Sequence, residues 1–326
     1  MEEIMKKSKA ASVILTALVP LAALASPPRY VYEGKWGKEG TGEGEFLFPT
    51  GVAVGGGDLV YVVDSGNNRV QFFTATGSFR GGWGRGGAGD GEFKNPVGVA
   101  AAANGDVYVV NSFNHRVQYF TSSGSFLGKW GAEGTGDGQF RYPEGVAAAP
   151  AGDVYVVDAG NDRVQYFNAA GSFLGKWGAA GAGNGQFLYP RGGAVAPNGN
   201  VYVTDSTNRR VEYFTAAGSF LGKWGSFGTG SGQFTLPVGV AVSPAGRVFV
   251  TDRHRMQFFT ATGSYLGQWG RQGVGDGEFT DPVAAALPSD ARVYVADLRN
   301  ARVQYFKQEN PAVAPASLGK VKALFR

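Results

Sequence analysis

Apolar residues in this chain arrive in short runs of β-branched and aromatic side chains, each run bounded by glycine or proline. Between Trp130 and Trp177 four such runs read as strands. The first, Pro143-Glu144-Gly145-Val146-Ala147-Ala148, is built of small residues with little polar alternation. That suits an inner strand crowded against its neighbours near a central axis. The second is Val154-Tyr155-Val156-Val157, the third Val164-Gln165-Tyr166-Phe167, and the fourth runs from Ser172 to Trp177. Asn104-Gly105, Ala151-Gly152 and Asn198-Gly199 predict tight turns between first and second strands, and Ser123-Gly124 and Ala170-Gly171 close the third to the fourth. Such a sheet has two faces to bury and is unstable alone.

The pattern returns around the whole chain. First strands begin at Pro49, Pro96, Pro143, Pro190, Pro237 and Pro282, and tryptophans fall at 36, 83, 130, 177, 224 and 269. A repeat of about 47 residues made of strands means radial stacking, which buries the faces of neighbouring sheets. The expected fold is all-β: a six-bladed β-propeller of four-stranded antiparallel blades. The run Tyr30–Trp36 (YVYEGKW) is a fourth strand that precedes any complete repeat, so it is expected to fill the last blade and close the ring. Ser317-Leu318-Gly319-Lys320-Val321 in the tail imitates the same strand and competes for that slot. The aromatic Trp36 and the glycine loop after it favour the N-terminal strand.

Composition narrows the setting. The chain has 326 residues, 43% of them hydrophobic, ample for a buried core. There is no cysteine, which excludes disulfides, thiol nucleophiles and thiolate metal sites. The formal charge of +4 is mild for this length and does not demand a nucleic acid or a membrane. Lys6, Lys7 and Lys9, the apolar run Ala10–Ala25 and the small-residue site Ala23-Leu24-Ala25 read as a secretory signal cleaved near Ala25-Ser26. The expected organisation is a signal peptide over 1–25, a propeller over 26–306 and a tail over 307–326, with a secreted or periplasmic destination.

The segments Gly-Gln-Phe-x-x-Pro-x-Gly-Val-Ala, Val-Tyr-Val-x-Asp and Asn-x-Arg-Val-Gln-x-Phe, six times in phase across residues 30–306, resemble the NHL repeat. That resemblance implies a six-bladed propeller. The fifth copy departs: Asp252-Arg253-His254-Arg255-Met256-Gln257 is two residues short and lacks the usual asparagine. The second has Asn111 where the others carry Asp64, Asp158, Asp205, Asp252 and Asp297.

A feature found in nearly every blade serves the blade. The recurring aspartate is therefore expected to accept local backbone N–H groups, and the arginine after it to pair with a carboxylate. Asn67, Asn114, Asn161, Asn208 and Asn300 are assigned to left-handed backbone positions. Loops such as Gly134-Thr135-Gly136-Asp137-Gly138 lack the lysine of a phosphate loop and precede a strand.

A site belongs where the copies differ. The residue after the proline varies: Thr50, Val97, Glu144, Arg191, Val238, Val283. Glu144 and Arg191 on adjacent blades read either as a pair that orients a ligand or as a simple ion pair. Blades four to six carry Arg191, Arg209, Arg253, His254, Arg255 and Arg299, a basic half-face opposite acidic loops on blades one to three. Together with Glu144 these are the candidate ligand-binding residues. They suit a protein or an anionic polymer such as a glycan; a nucleic acid does not suit a secreted chain. His115 and His254 lie on opposed blades and make a poor metal pair. Zinc-dependent amidating lyases of similar fold use more histidines than this chain has, and of the carboxylates that lactonase-type propellers gather at the axis only Glu144 is present. No catalytic residue, metal or cofactor is assigned. The expected function is a non-catalytic binding scaffold, with a hydrolase or lyase at the axial mouth as the alternative.

Overall fold

The computed structural model describes residues 28–288 and 292–309. Within them lie six four-stranded antiparallel sheets. Five are continuous in sequence. In blade three the strands are Gly145–Ala148, Val154–Asp158, Arg163–Phe167 and Phe173–Trp177. In the other blades the first strand starts at the proline itself, as at Pro190–Val195.

The sixth sheet is composite. Pro282–Ala286, Arg292–Asp297 and Arg302–Glu309 are completed by Arg29–Trp36 from the beginning of the chain. The closing pair runs antiparallel from Arg29 opposite Glu309 to Trp36 opposite Val303, with an irregularity between Tyr32 and Gly34. The N-terminal strand therefore closes the ring, as its sequence predicts. The competing tail segment 317–321 and the signal segment 1–25 lie outside the described residues. Among the described residues no helix is long and apolar enough to cross a membrane.

The core sits between blades rather than inside one. One cluster joins Tyr108, Val110 and Val117 of blade two to Val146, Val154 and Phe167 of blade three. The periodic tryptophan is its wedge. Trp130 lies 5.9 Å from Tyr108 and 5.5 Å from Phe167 of the next blade, ring centre to ring centre. Its far side rests on the hairpin of blade three at Gly171, where a Cβ would stand 2.6 Å from the indole and where φ is +88°. Tyr108 donates its hydroxyl to Ala169 O of the same hairpin at 3.0 Å. Tyr294 donates in the same way to Ala75 O at 2.9 Å, so the tie also spans blades six and one. Blade six has no such hairpin, and there Tyr30 from the closing strand stacks on Trp269 at 4.9 Å. The spacing of tryptophan thus records a contact made once per blade interface.

Candidate functional site at the axial mouth

Beneath the mouth, each blade carries a buried polar lattice. In blade three Asp158 is fully buried. Its Oδ1 accepts the Arg141 N–H at 2.7 Å, and its Oδ2 accepts Asn161 Nδ2 at 2.9 Å and Arg163 Nε at 2.7 Å. The two Nη atoms of Arg163 donate to Thr135 O, Gly136 O and Gln139 O. The arginine thereby clamps the glycine-rich loop, which is a structural element with its carbonyls already engaged. Burial pushes the carboxyls of Asp158, Asp205 and Asp297 above their ordinary range, against the hydrogen bonds that hold them down. Such pairs position the chain more than they stabilise it.

This lattice corrects two sequence assignments. Asn67, Asn114, Asn161, Asn208 and Asn300 are not the left-handed residues; positive φ falls one position later at Asn68, His115, Asp162, Arg209 and Ala301. The asparagine amide instead bridges the lattice, as Asn161 does between Asp158 and Gly134 O. Arg255 does not belong to a free basic face either. With two residues deleted before it, it still bonds Asp252 Oδ2 at 3.0 Å and clamps Thr229 O and Gln233 O. It is the lattice arginine of blade five.

At the axis the six residues after the prolines meet. Thr50, Val97, Glu144, Arg191, Val238 and Val283 line one cavity of about 250 Å³. The first strands pack so closely here that a Cβ on Gly145 would stand 2.4 Å from Arg191 O. Glu144 and Arg191 are the two charged residues among those six. Among the described residues they form no ion pair; Tyr189 stands between them. Its hydroxyl donates to Glu144 Oε1 at 3.2 Å, and the Arg191 guanidinium lies over its ring at 5.3 Å. Burial raises the Glu144 carboxyl above its ordinary value, with the Arg191 charge and the Tyr189 hydrogen bond pulling it back. Arg191 Nε is buried without a hydrogen-bond partner.

The other candidates spread outward. A groove of about 240 Å³ beside the mouth is lined by Arg191, Arg253, Asp281 and Arg299. Arg299 is paired with Asp281. Arg209 donates to Ser206 O of its own turn. His254 lines a separate depression of about 190 Å³ with Arg253 and Arg255, and its Nδ1 is buried and unpartnered. Arg253 is exposed and has no carboxylate within ion-pair distance among the described residues. Of the six basic candidates, Arg191 and Arg253 are therefore the two that share the groove without being committed to an ion pair or a lattice. His115 has another use: its Nδ1 accepts the Tyr142 N–H at 3.2 Å, riveting blade two to blade three. Among the described residues no group of three or more His, Asp or Glu gathers as a metal site.

Sequence reasoning missed the residue before each proline. Phe48, Tyr142 and Tyr189 stand there on blades one, three and four, exposed at the rim. The variation Phe48, Asn95, Tyr142, Tyr189, Leu236, Asp281 was as visible as that of the residue after the proline.

Fold and cavity together define a closed six-bladed β-propeller whose largely apolar axial mouth carries one acidic and one basic side chain. The chain carries NHL repeats: the NHL repeat family model matches residues 46–73, 93–120, 140–167 and 234–259, which are repeats one, two, three and five. Repeats four and six carry the same strands and the same aspartate–arginine pairing, through Asp205–Arg210 and Asp297–Arg302. No curated protein matches the chain in sequence. Among solved structures, a protein of unknown function from Bacteroides thetaiotaomicron is similar with a TM-score of 0.67 and 17% identity, over 86% of this chain and 76% of that one. A gluconolactonase from Xanthomonas campestris is similar with a TM-score of 0.61 and 14% identity, over 87% and 95%. A catalytically inactive virginiamycin B lyase from Staphylococcus aureus, with quinupristin, gives 0.56 and 12%, over 88% and 89%. At these identities the likeness is one of fold.

Proposed function

We propose that this NHL propeller is a non-catalytic binding scaffold, exported after cleavage near Ala25-Ser26, that engages an acidic partner through the loop face around its axial mouth. The partner is a protein or an anionic polymer. The observation that carries this reading is the pair Arg191 and Arg253, two cations on one groove, neither in an ion pair among the described residues, while Asp281 of the same groove is held by Arg299. Unsatisfied charge of one sign beside a concave mouth attracts the opposite sign. The test is retention on immobilised poly-L-glutamate and on immobilised polygalacturonate in rising salt. The native chain is expected to bind at least one of them and to elute as salt screens the contact, while Arg191→Gln with Arg253→Gln is retained on neither. Unchanged retention of the double variant, or a native chain that passes through both columns, overturns the proposal.

A second reading has one specific support. Glu144 is a recessed carboxyl held above its ordinary pKa beside a phenol and a guanidinium, a set able to move a proton. The gluconolactonase and the lyase of similar fold make a hydrolase or lyase the runner-up. Turnover of a lactone or ester that disappears in Glu144→Gln while the fold is intact would favour it over the scaffold.

A further inference from the structure

The rim carries aromatic residues that the fold does not ask for. Phe48, Tyr142 and Tyr189 each precede a proline and each hold a left-handed backbone, with φ of 54°, 44° and 52°. A residue before proline is normally extended, and a bulky side chain at positive φ is disfavoured; asparagine and aspartate tolerate it best. The chain uses those cheaper residues at the same place on other blades, Asn95 with φ 51° and Asp281 with φ 62°. The aromatic choice on blades one, three and four is therefore not dictated by the turn.

Nor is it made for the core. Phe48 is 56% exposed, Tyr142 47% and Tyr189 38%. Phe113, 50% exposed, packs against Tyr142 with ring centres 5.9 Å apart. The backbones of two of these rings are fixed from the preceding blade: Tyr142 N–H by His115 Nδ1, and Tyr189 N–H by Asp162 Oδ1 at 2.7 Å. The result is a set of exposed rings on blades one to four, two of them on backbone tied to the preceding blade, with Arg191 lying over Tyr189 and Arg253 following on blade five.

We infer that this rim binds an acidic oligosaccharide, with sugar rings stacked on Phe48, Tyr142 and Tyr189 and their carboxylate or sulfate groups on Arg191 and Arg253. The inference rests on the anion-binding reading above and adds the class of partner to it. Aromatic faces carry negative quadrupole charge and meet the polarised C–H faces of sugars. Polar Thr50, Asn95 and Glu144 line the mouth inside these rings, so the rim is not the continuous apolar patch that a protein partner covers. An acidic sugar chain offers both flat faces and anionic groups, and this rim has partners for each: exposed rings on blades one to four and the cations Arg191 and Arg253 on blades four and five.

The test is titration calorimetry with oligogalacturonate and with poly-L-glutamate of matched charge, on the native chain and on Phe48→Asn with Tyr142→Asn. Asparagine copies Asn95 and keeps the left-handed turn while removing the ring. Matched thermal unfolding establishes that the variant is folded. The native chain is expected to prefer oligogalacturonate about tenfold, the size that two ring contacts supply. The asparagine variant should lose that preference and keep its poly-L-glutamate binding. Equal binding of the two polyanions by the native chain, or tighter binding of poly-L-glutamate, overturns the sugar assignment and leaves the anion reading standing. A preference unchanged in the variant also overturns it. Binding to neither overturns both.

Discussion

The lattice inside the blades and the mouth above them are built from the same repeat, yet they behave as opposites. Asp158, Asn161, Arg163 and Gln165 bond the same kinds of partner as Asp64, Asn67, Arg69 and Gln71 do in blade one and Asp297, Asn300, Arg302 and Gln304 in blade six. At the mouth, equivalent positions hold Thr50, Val97, Glu144, Arg191, Val238 and Val283, and polar atoms such as Arg191 Nε remain without partners. Repetition marks the fold, even though the indole N–H of each periodic tryptophan is left buried without a partner. Variation around a concave mouth marks where another molecule can be met.

The strongest way to break that comparison is to cut the lattice. Asp158→Ala leaves Arg163 buried without its carboxylate and the Arg141 N–H without its acceptor. Removing one member of a buried pair costs about 3–5 kcal/mol. Urea unfolding should show a loss of that size, while polyanion binding by the folded fraction stays as in the native chain. A loss below about 1 kcal/mol would mean that the lattice does not hold the blade.

Blade four sharpens the contrast, because there the lattice itself varies. Glu212 occupies the place that Gln165 fills in blade three. Gln165 accepts the Gly138 N–H at 2.9 Å and donates to Gln139 O at 2.7 Å. Glu212 Oε2 accepts the Gly185 N–H, but Oε1 has no hydrogen bond, with Arg210 Nη2 3.0 Å away. A protonated carboxyl restores the missing donor. Burial pushes the Glu212 carboxyl from 4.5 up to about 7, opposed by Arg210 and Lys223 and reinforced by Asp205. The folded state therefore keeps a proton that the unfolded state releases. The resulting stabilisation is full below about pH 4.5 and is lost as the pH rises through about 7. Glu212→Gln should flatten that part of the stability profile and gain on the order of 1–3 kcal/mol at pH 8 relative to the native chain. Parallel profiles of native and variant protein between pH 4.5 and 8 would refute the assignment.

Much of this was legible in the sequence, for a physical reason. Trp130, Gly171 and Tyr108 meet across a blade interface that occurs once per repeat, so their spacing writes the contact into the chain. The closing strand was legible because Tyr30–Trp36 is a fourth strand with no blade of its own. Arg255 was misread because a two-residue deletion moved the lattice arginine into what looked like a variable loop. The left-handed residue was misplaced by one because both asparagine and its successor sit in the same turn, and the backbone bends at the successor while the asparagine amide is spent on the lattice. The aromatic rim escaped because an aromatic residue beside proline reads as core until its exposure is known.

The smallest expected effect comes from blade two, where Asn111 replaces the lattice aspartate. Its Oδ1 still accepts the Lys94 N–H at 2.8 Å, and its amide donates to Glu92 O at 3.0 Å. Arg116 keeps its bonds to Ala88 O and Gly89 O, but its Nε is buried without a partner, and burial holds its pKa below the ordinary arginine value. The cost of taking this guanidinium out of water has thus been incurred without the carboxylate that accompanies it elsewhere. Asn111→Asp supplies that carboxylate to an arginine already buried, and it loses only an amide bond to a carbonyl that Arg116 and Gln118 also reach. The expected gain is about 1 kcal/mol at neutral pH, read as a raised urea midpoint at unchanged slope. A lowered midpoint would show that blade two has repacked around its amide, and that the lattice tolerates variation for reasons other than charge.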